Sequence, residues 1–402
     1  MYQFKVGVDA KVHDDFVESH ELCNLLQSSS WAKVKENWDS TIVGVFDDDT
    51  LIASSLVLIK HLPMGFTMFY TPRGPIMDYT DKRIVKYFLQ ELKKYAKSKR
   101  CLFIKMDPGI HINDYPIGEP NDNHYDVSTV LENMKLAGAI HQGYPKEIAK
   151  VIQPRFQANV YKSDTFEKDL PRHTKRLIKD ALKRDVQVEI ADKNRIDEFS
   201  EVVALTEKRK NVNLRNHEYF QLLMDTYGDD AYLFLGSVNI PQSLEKLKKQ
   251  YAENEQELKM VDEKSRKKIN RLQDIKNSLE KSIKEFEAFV GMNENTVIAG
   301  VLSIKFGNTM EMLYAGMNDD FKKFMPQYHI YVENMKYAFE HGCDFCNMGG
   351  VEGDLQDGLT KFKSNFNPMI NEFIGEFDLP VNTLLYKASH RLYEQRKQRM
   401  NG

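Results

Sequence analysis

The chain reads as an α/β protein built from two successive blocks of mixed helix and strand, the second interrupted by a helical hairpin. Three observations carry that reading. At 402 residues it is too long for one ordinary domain, so two are expected. Strand patterns with a period of two and helix patterns with steps of three and four alternate twice along it. And from Gln242 to Phe289 there is no Gly or Pro, only a long run rich in Lys, Glu, Gln, Leu and Ile.

The first block spans 1–150. "STIVGVFDDDTLIASSLVLIKHL" gives two strands joined by a "DDDT" turn. "DKRIVKYFLQELKKYAKSK" places Ile84, Phe88, Leu92 and Tyr95 at helical spacing and leads into a strand, "CLFIKMD". "STVLENMKLAGA" is a further helix. The second block, 151–241 and 291–375, begins near "VIQPRFQANVYK". Helices are expected at "HTKRLIKDALKRD", "RIDEFSEVVALTEKRK", "HEYFQLLMDTYG" and "PQYHIYVENMKYAFEHG". Its strands are "VQVEIA", "AYLFLGSV", "NTVIAGVLSIKFG", "TMEMLYAGM" and "FCNMGG". Residues 376–402 are expected to pack back on the first block. In the arm, 242–290, apolar residues fall at Leu244, Leu247, Tyr251, Leu258 and Val261, then at Ile269, Leu272, Leu279, Ile283, Phe286 and Val290. This heptad rhythm, broken at "VDEKSRK", predicts an antiparallel pair of helices, each roughly 30 Å long. Strand pattern resumes at once, so the arm is an insertion. A solvated spur and a partner-touching arm both remain open, but its balanced charge argues against phosphate binding along its whole length.

An apolar content of 42% with 29% charged residues is that of a globular protein, not a disordered one. A net charge of −3 gives no global attraction to nucleic acid, so any anion site must be local. "MYQFKVGVDAKVHDDF" lacks the pattern of a signal peptide. The apolar stretch Leu51 to Ile59 is far short of the ~18 residues of a membrane-spanning helix. A cytoplasmic protein is expected, free to touch the inner face of a membrane. The four cysteines, Cys23, Cys101, Cys343 and Cys346, are read as reduced thiols. Metal-ligand spacings, a G-x-S-x-G elbow, a P-loop and the acyl-CoA signature R/Q-x-x-G-x-G/A are all missing.

What remains is basic and aromatic. "LRNHEYFQLL" sets Arg215 and Tyr219 at i and i+4, either an anion clamp or a surface Arg stacked on Tyr. "QSSSWAKVKENW" sets Trp31 and Lys35 in the same relation, which a core Trp covered by a Lys stem also explains. "PRHTKRLIKDALKR" concentrates Arg172, Lys175, Arg176, Lys179, Lys183 and Arg184 on one helix, either a phosphate-facing patch or the polar side of an amphipathic helix. "GDLQDGLTKFKSNFNP" sets Lys363 beside Phe362 and Phe366 in a Gly/Asp-rich connection.

The segments "LQSSSWAKVK", "YTPRGPIMD", "IKMDP", "IQPRFQANVYK", "TEKRKNVNLRNHEYF", "LYAGM" and "GLTKFKSNFNP" resemble the Fem family (FemA, FemX and MurM-like), over essentially the whole chain. Its details look most like the streptococcal MurM/MurN type. The resemblance implies two GNAT-like acyltransferase domains, an antiparallel coiled-coil hairpin inserted in the second, and no cofactor beyond aminoacyl-tRNA as co-substrate. It implies transfer of an amino acid, serine or alanine with glycine also open, to the stem peptide of a lipid-linked peptidoglycan precursor at the inner membrane face. Carried over by motif, Lys35, Arg215, Tyr219 and Tyr314 hold the precursor, Phe362 and Lys363 carry the reaction, and Asp107 of "MDP" matches a suspected base. The Arg172–Lys183 cations are assigned to tRNA. Lys363 is expected near Arg215, Tyr219 and Tyr314, with substrate assistance for proton removal. An aminoacyl-tRNA-dependent acyltransferase acting on protein N-termini, and a binding protein using the arm as a hook, stay open.

Overall fold

The structure, a computed structural model, describes residues 1–120, 122–210, 215–262 and 264–387. Along its first part run β1 (Tyr2–Val6), α1 (Ala10–Glu18), α2 (Trp31–Val34), β2 (Asp39–Asp47), β3 (Thr50–Leu62), β4 (Phe66–Thr71), β5 (Ile76–Met77), α3 (Lys82–Ser98), β6 (Cys101–Met106), β7 (His111–Pro116), α4 (Ser128–Leu136) and β8 (Ile140–His141). Then come β9 (Phe156–Tyr161), α5 (Phe166–Asp169), α6 (Arg172–Lys183), β10 (Gln187–Ala191), α7 (Ile196–Lys210), α8 (His217–Tyr227) and β11 (Ala231–Val238). The arm is α9 (Ile240–Met260) and α10 (Arg266–Glu287). After it follow β12 (Thr296–Phe306), β13 (Thr309–Met317), α11 (Pro326–Glu340), β14 (Phe345–Val351), α12 (Gly358–Lys363), β15 (Met369–Phe373) and β16 (Phe377–Pro380).

Local chemistry explains the elements. The β2–β3 turn puts Asp48 at φ +51°, a conformation Asp tolerates. In α3, Asp81 accepts from the Arg83 and Ile84 amides, and the helix buries Val85, Phe88, Leu89, Leu92 and Ala96 on one stripe. The strands form two eight-stranded sheets, β1-β2-β3-β4-β6-β16-β8 with β5 on β3, and β10-β11-β12-β13-β14-β9-β15-β7. A division near residue 150 does not separate them cleanly. β7, from the first block, pairs with β15 in the second sheet, whereas β16, from the C-terminal end, enters the first between β6 and β8. Residues 388–402 of the C-terminal segment lie outside the described residues. A buried charge cluster holds β16: Lys105 Nζ lies 2.8 Å from both Glu376 and Asp378, and Tyr386 donates to Asp378 at 2.9 Å.

Helices α7 and α8 cover one face of the second sheet and join Leu56, Leu58, Met68 and Tyr70 of the first sheet in a shared core. On the opposite face lie α6 and α11, with Phe156, Met310, Met312, Ile330 and Met335 buried between. The approach of α7 is close. A Cβ on Gly316 would sit 2.6–2.7 Å from the backbone of Val202 and Val203. Gly316→Ala is expected to cost about 1–3 kcal/mol by forcing α7 off the sheet, read from urea unfolding; a loss near zero means the helix moves aside freely.

The arm is antiparallel. Lys248 pairs with Glu287 near its base, Tyr251 with Glu280 and Lys276 with Glu255 further out, and Lys268 with Glu257 towards its end. Val238, Ile240 and Phe286 root it among Ala181, Val186, Phe321 and Phe324, and Arg184 of α6 is ion-paired to Glu285.

Candidate active site

The predicted residues fall into two groups on opposite faces of the second sheet. On the α7–α8 face, the helical spacing read from the sequence does not hold. α2 ends at Val34, leaving Lys35 outside the helix at φ −102°, ψ 49°. α8 starts at His217 with Asn216 as its cap, so Arg215 lies outside the helix too. The contacts form nonetheless: the Lys35 ammonium is 4.8 Å from the Trp31 ring and the Arg215 guanidinium 4.8 Å from the Tyr219 ring. Both cations line a cleft of about 660 Å³ with Glu36, Trp38, Glu218 and Tyr219. Burial, and then the Arg215 charge, bring Lys35 down to about 8. Among the described residues no carboxylate forms an ion pair with either cation. Two neighbouring cations, one of them partly desolvated and neither in an ion pair among the described residues, have the chemistry to hold an anion.

Tyr314 joins this group through a bulge. Leu302 pairs with Tyr314 but Ser303 pairs with Met312, so Leu313 is an extra residue. The bulge turns Met312 to the α11 face and Tyr314 to the α8 face, where its ring meets Tyr219 edge-on at 5.8 Å. Burial, and then the Tyr314 hydroxyl, raise the Tyr219 phenol.

Lys363 lies with the α11 face. The connection that contains it holds a short helix: Asp357 accepts from the Leu359 and Thr360 amides, and Asn367 at φ +53° followed by Pro368 stops the turn that comes after. Phe366 stacks on Tyr331 at 5.2 Å and Phe362 meets Tyr331 edge-on at 5.1 Å. Lys363 itself is buried, and its amine donates to the Gly350 carbonyl at 2.7 Å. The cleft that Lys35 and Arg215 line does not include it, contrary to the expectation that Lys363 sits among Arg215, Tyr219 and Tyr314. Phe362 and Phe366 pack into the α11-side core, not the one that holds Tyr219 and Tyr314.

What links the two faces is an interruption in the sheet. β13 and β14 are parallel partners only from Thr309–Phe345 to Glu311–Asn347. Beyond that pair β13 stays with β12 as far as Met317, whereas β14 bulges and stays with β9. Tyr314 on one arm and Gly349 and Gly350 on the other flank the gap. Gly349 has φ +84°, and a Cβ there would lie 3.6 Å from the Lys363 amine.

The remaining predicted residues are placed as follows. Asp107 is 2% exposed; one oxygen accepts from the Arg73 amide at 3.0 Å and the other is 3.9 Å from the Arg73 guanidinium. Burial pushes it up to about 7, against the pull of Arg73. It supports the Arg73 loop through that amide contact. On α6, Arg172, Arg176, Lys179 and Lys183 are exposed, whereas Lys175 is half-buried and donates to the Lys168 carbonyl. The helix is tied to the Lys363 segment through the Thr174 hydroxyl, which donates to the Asn365 carbonyl. Cys343 and Cys346 are buried free thiols. Among the described residues no three His, Cys, Asp or Glu side chains group as metal ligands, and no helix is long and apolar enough to cross a membrane. Two buried charged residues, Arg73 and Glu311, were not singled out from the sequence; for Glu311 the available signal was an acid inside the largely apolar strand "TMEMLYAGM".

Two mixed sheets with a parted parallel strand pair, helices on both faces and an inserted helical arm make up an α/β fold. The model of the FemAB family matches residues 8–394, and the chain belongs to that family; its enzyme class is aminoacyltransferase. It is 30% identical to a lipid II:glycine glycyltransferase of Staphylococcus haemolyticus (strain JCSC1435), covering 98% of this chain and 96% of that one. It is 28% identical to the protein of the same name from Staphylococcus aureus (strain USA300), with the same coverage. A crystal structure of FemX superposes with a TM-score of 0.78 at 27% identity, over 96% of this chain and 99% of that chain. The serine or alanine expected from the MurM/MurN likeness is not what these relatives' names specify; they name glycine.

Proposed function

We propose that the protein transfers glycine from glycyl-tRNA to the stem-peptide amine of a lipid-linked peptidoglycan precursor, or to a residue already on it, building the interpeptide bridge. The observation that carries this is the un-neutralised Lys35–Arg215 pair, which suits the diphosphate of the precursor and lies on the opposite sheet face from Lys363. The acceptor approaches from the α8 side and the tRNA end from the α6–α12 side. The amine and the ester meet at the parting of β13 and β14. As the amine attacks the ester carbonyl, negative charge grows on the carbonyl oxygen and then on the ribose 3′ oxygen. A fixed, poorly hydrated ammonium stabilises that charge more than it stabilises the neutral ester, which is the condition for catalysis. No metal or organic cofactor is needed for this step, and the enzyme works at the inner face of the cell membrane, where its acceptor lies.

Purified protein incubated with lipid-linked precursor and a mixture of charged tRNAs should yield a product heavier by one glycyl residue; an unmodified precursor overturns the reading. Two narrower tests follow. Lys35 is protonated below about pH 8 and neutral above it, so the acceptor KM is expected to rise about tenfold between roughly pH 7 and pH 9.5 as a charge-assisted contact is lost. In Lys35→Met that rise disappears. Replacing Arg172, Arg176, Lys179 and Lys183 by Gln should flatten the salt dependence of tRNA binding by about 3 in the log–log slope if all four meet phosphates. An unchanged slope removes α6 from the donor site.

A further inference from the structure

We infer that Glu311 is the proton acceptor of the transfer reaction, a carboxylate set where β13 and β14 part, on the acceptor side of Lys363. The inference rests on the proposed aminoacyl transfer and deepens it by assigning the group that deprotonates the attacking ammonium. Four observations place Glu311 there. It belongs to the last residue pair, Glu311–Asn347, before the two strands separate. Its side chain is buried beside that of Asn347. Asn347 ties that carboxylate to the Lys363 side of the gap: its carbonyl oxygen accepts from the Gly349 amide at 2.7 Å, and its amide donates to Gln157 at 3.1 Å. Glu311 also precedes Tyr314 by three residues on one strand, about 10 Å at the usual rise, within reach of a lysyl or glycyl-lysyl arm of an acceptor held beside Tyr314.

The surroundings suit the task. The charged groups that face Glu311 are Arg73, from the β4–β5 connection, and beyond it Asp107 at the end of β6. Cys23 and Cys346 also lie close, and burial holds both thiols neutral at working pH. Burial pushes Glu311 up to about 7, whereas Arg73 and Asn347 pull the other way. A carboxylate balanced near neutrality accepts a proton from an ammonium and gives it up again, which is what a general base must do. The balance closes. The ammonium loses one proton to Glu311, and the free amine forms the N–C bond. The C–O bond to the ribose then breaks, while a second N–H proton passes to the 3′ oxygen. The products are an amide and a ribose hydroxyl, and Glu311 returns its proton to solvent.

The test is the pH profile of kcat/KM for wild type, Glu311→Gln and Glu311→Asp, with thermal melting and acceptor binding measured on each. Wild type should show an acid limb near pH 7. Glu311→Gln should melt and bind acceptor like wild type, lose about 100-fold in rate and lose the limb. Glu311→Asp, one methylene shorter, should keep the limb and lose about tenfold. Because the ε-amine (about 10.4) holds its proton more tightly than a glycyl α-amine (about 8), the Glu311→Gln defect should be smaller on glycine-extended precursor. A folded Glu311→Gln within threefold of wild type with its limb intact overturns the assignment while leaving the transfer reaction standing. If Glu311→Gln does not fold, an Asp variant with the wild-type rate overturns it. Wild type inactive with every charged tRNA overturns both readings.

Discussion

Lys363→Met is expected to lower the single-turnover rate of glycyl transfer about 10³-fold while the protein melts as wild type. The size follows from what is removed. A preorganised charge or donor aimed at a developing oxyanion supplies about 3–4 kcal/mol of transition-state stabilisation, more in a site closed to water than at a surface. In the proposed reaction Lys363 is such a charge: it is buried, and its amine is anchored on the Gly350 carbonyl. Met fills nearly the same space, so the aromatic packing on Tyr328 and Tyr331 survives. The acceptor should bind the variant normally, because the cation pair proposed to hold it lies on the other face of the sheet. A variant that loses acceptor affinity but retains turnover would place Lys363 in acceptor binding. One with unchanged turnover would remove it from the reaction.

Lys105→Met is expected to destabilise the fold by about 3–5 kcal/mol, the cost of leaving a buried charge without its partner. Both Glu376 and Asp378 depend on this ammonium, and all three side chains are nearly inaccessible. Burial alone would lower the Lys105 pKa; the two carboxylates, Asp378 first, outweigh it and raise it above the ordinary lysine value. The ammonium's share of that stability is therefore fully present at neutral pH and is lost in strong alkali, as pH passes the raised value. Urea unfolding at neutral pH measures the loss. The triple variant Lys105→Met, Glu376→Gln, Asp378→Asn should recover part of it, since the orphaned charges are then gone. A Lys105→Met protein as stable as wild type would mean that water reaches the two carboxylates.

Legibility from the sequence followed the range of the forces involved. The stripe of α3, the β2–β3 turn and the two-helix arm depend on neighbours a few residues apart, and each could be read directly. Lys35 and Arg215 were singled out on a helical spacing that the structure does not keep. Both lie outside the helices proposed for them, and ring contacts, not helical spacing, hold them over Trp31 and Tyr219. Lys363 was legible as a lysine among aromatics, but its place relative to the cleft was not. A single bulge at Leu313 and a strand pair that parts after Asn347 decide which face each residue meets, and neither leaves a local pattern.

By itself, then, the sequence determined the alternation of helices and strands and the inserted arm, because propensity and periodicity are local properties. Only the tertiary structure decided that β7 joins the second sheet, that Asp107 packs beneath the Arg73 loop, and that Lys363 and the Lys35–Arg215 pair lie on opposite faces. Those outcomes depend on pairings between residues up to hundreds of positions apart, such as Lys105 with Glu376. Such pairings are selected by burial and charge neutralisation in the assembled core, which no short stretch of chain encodes.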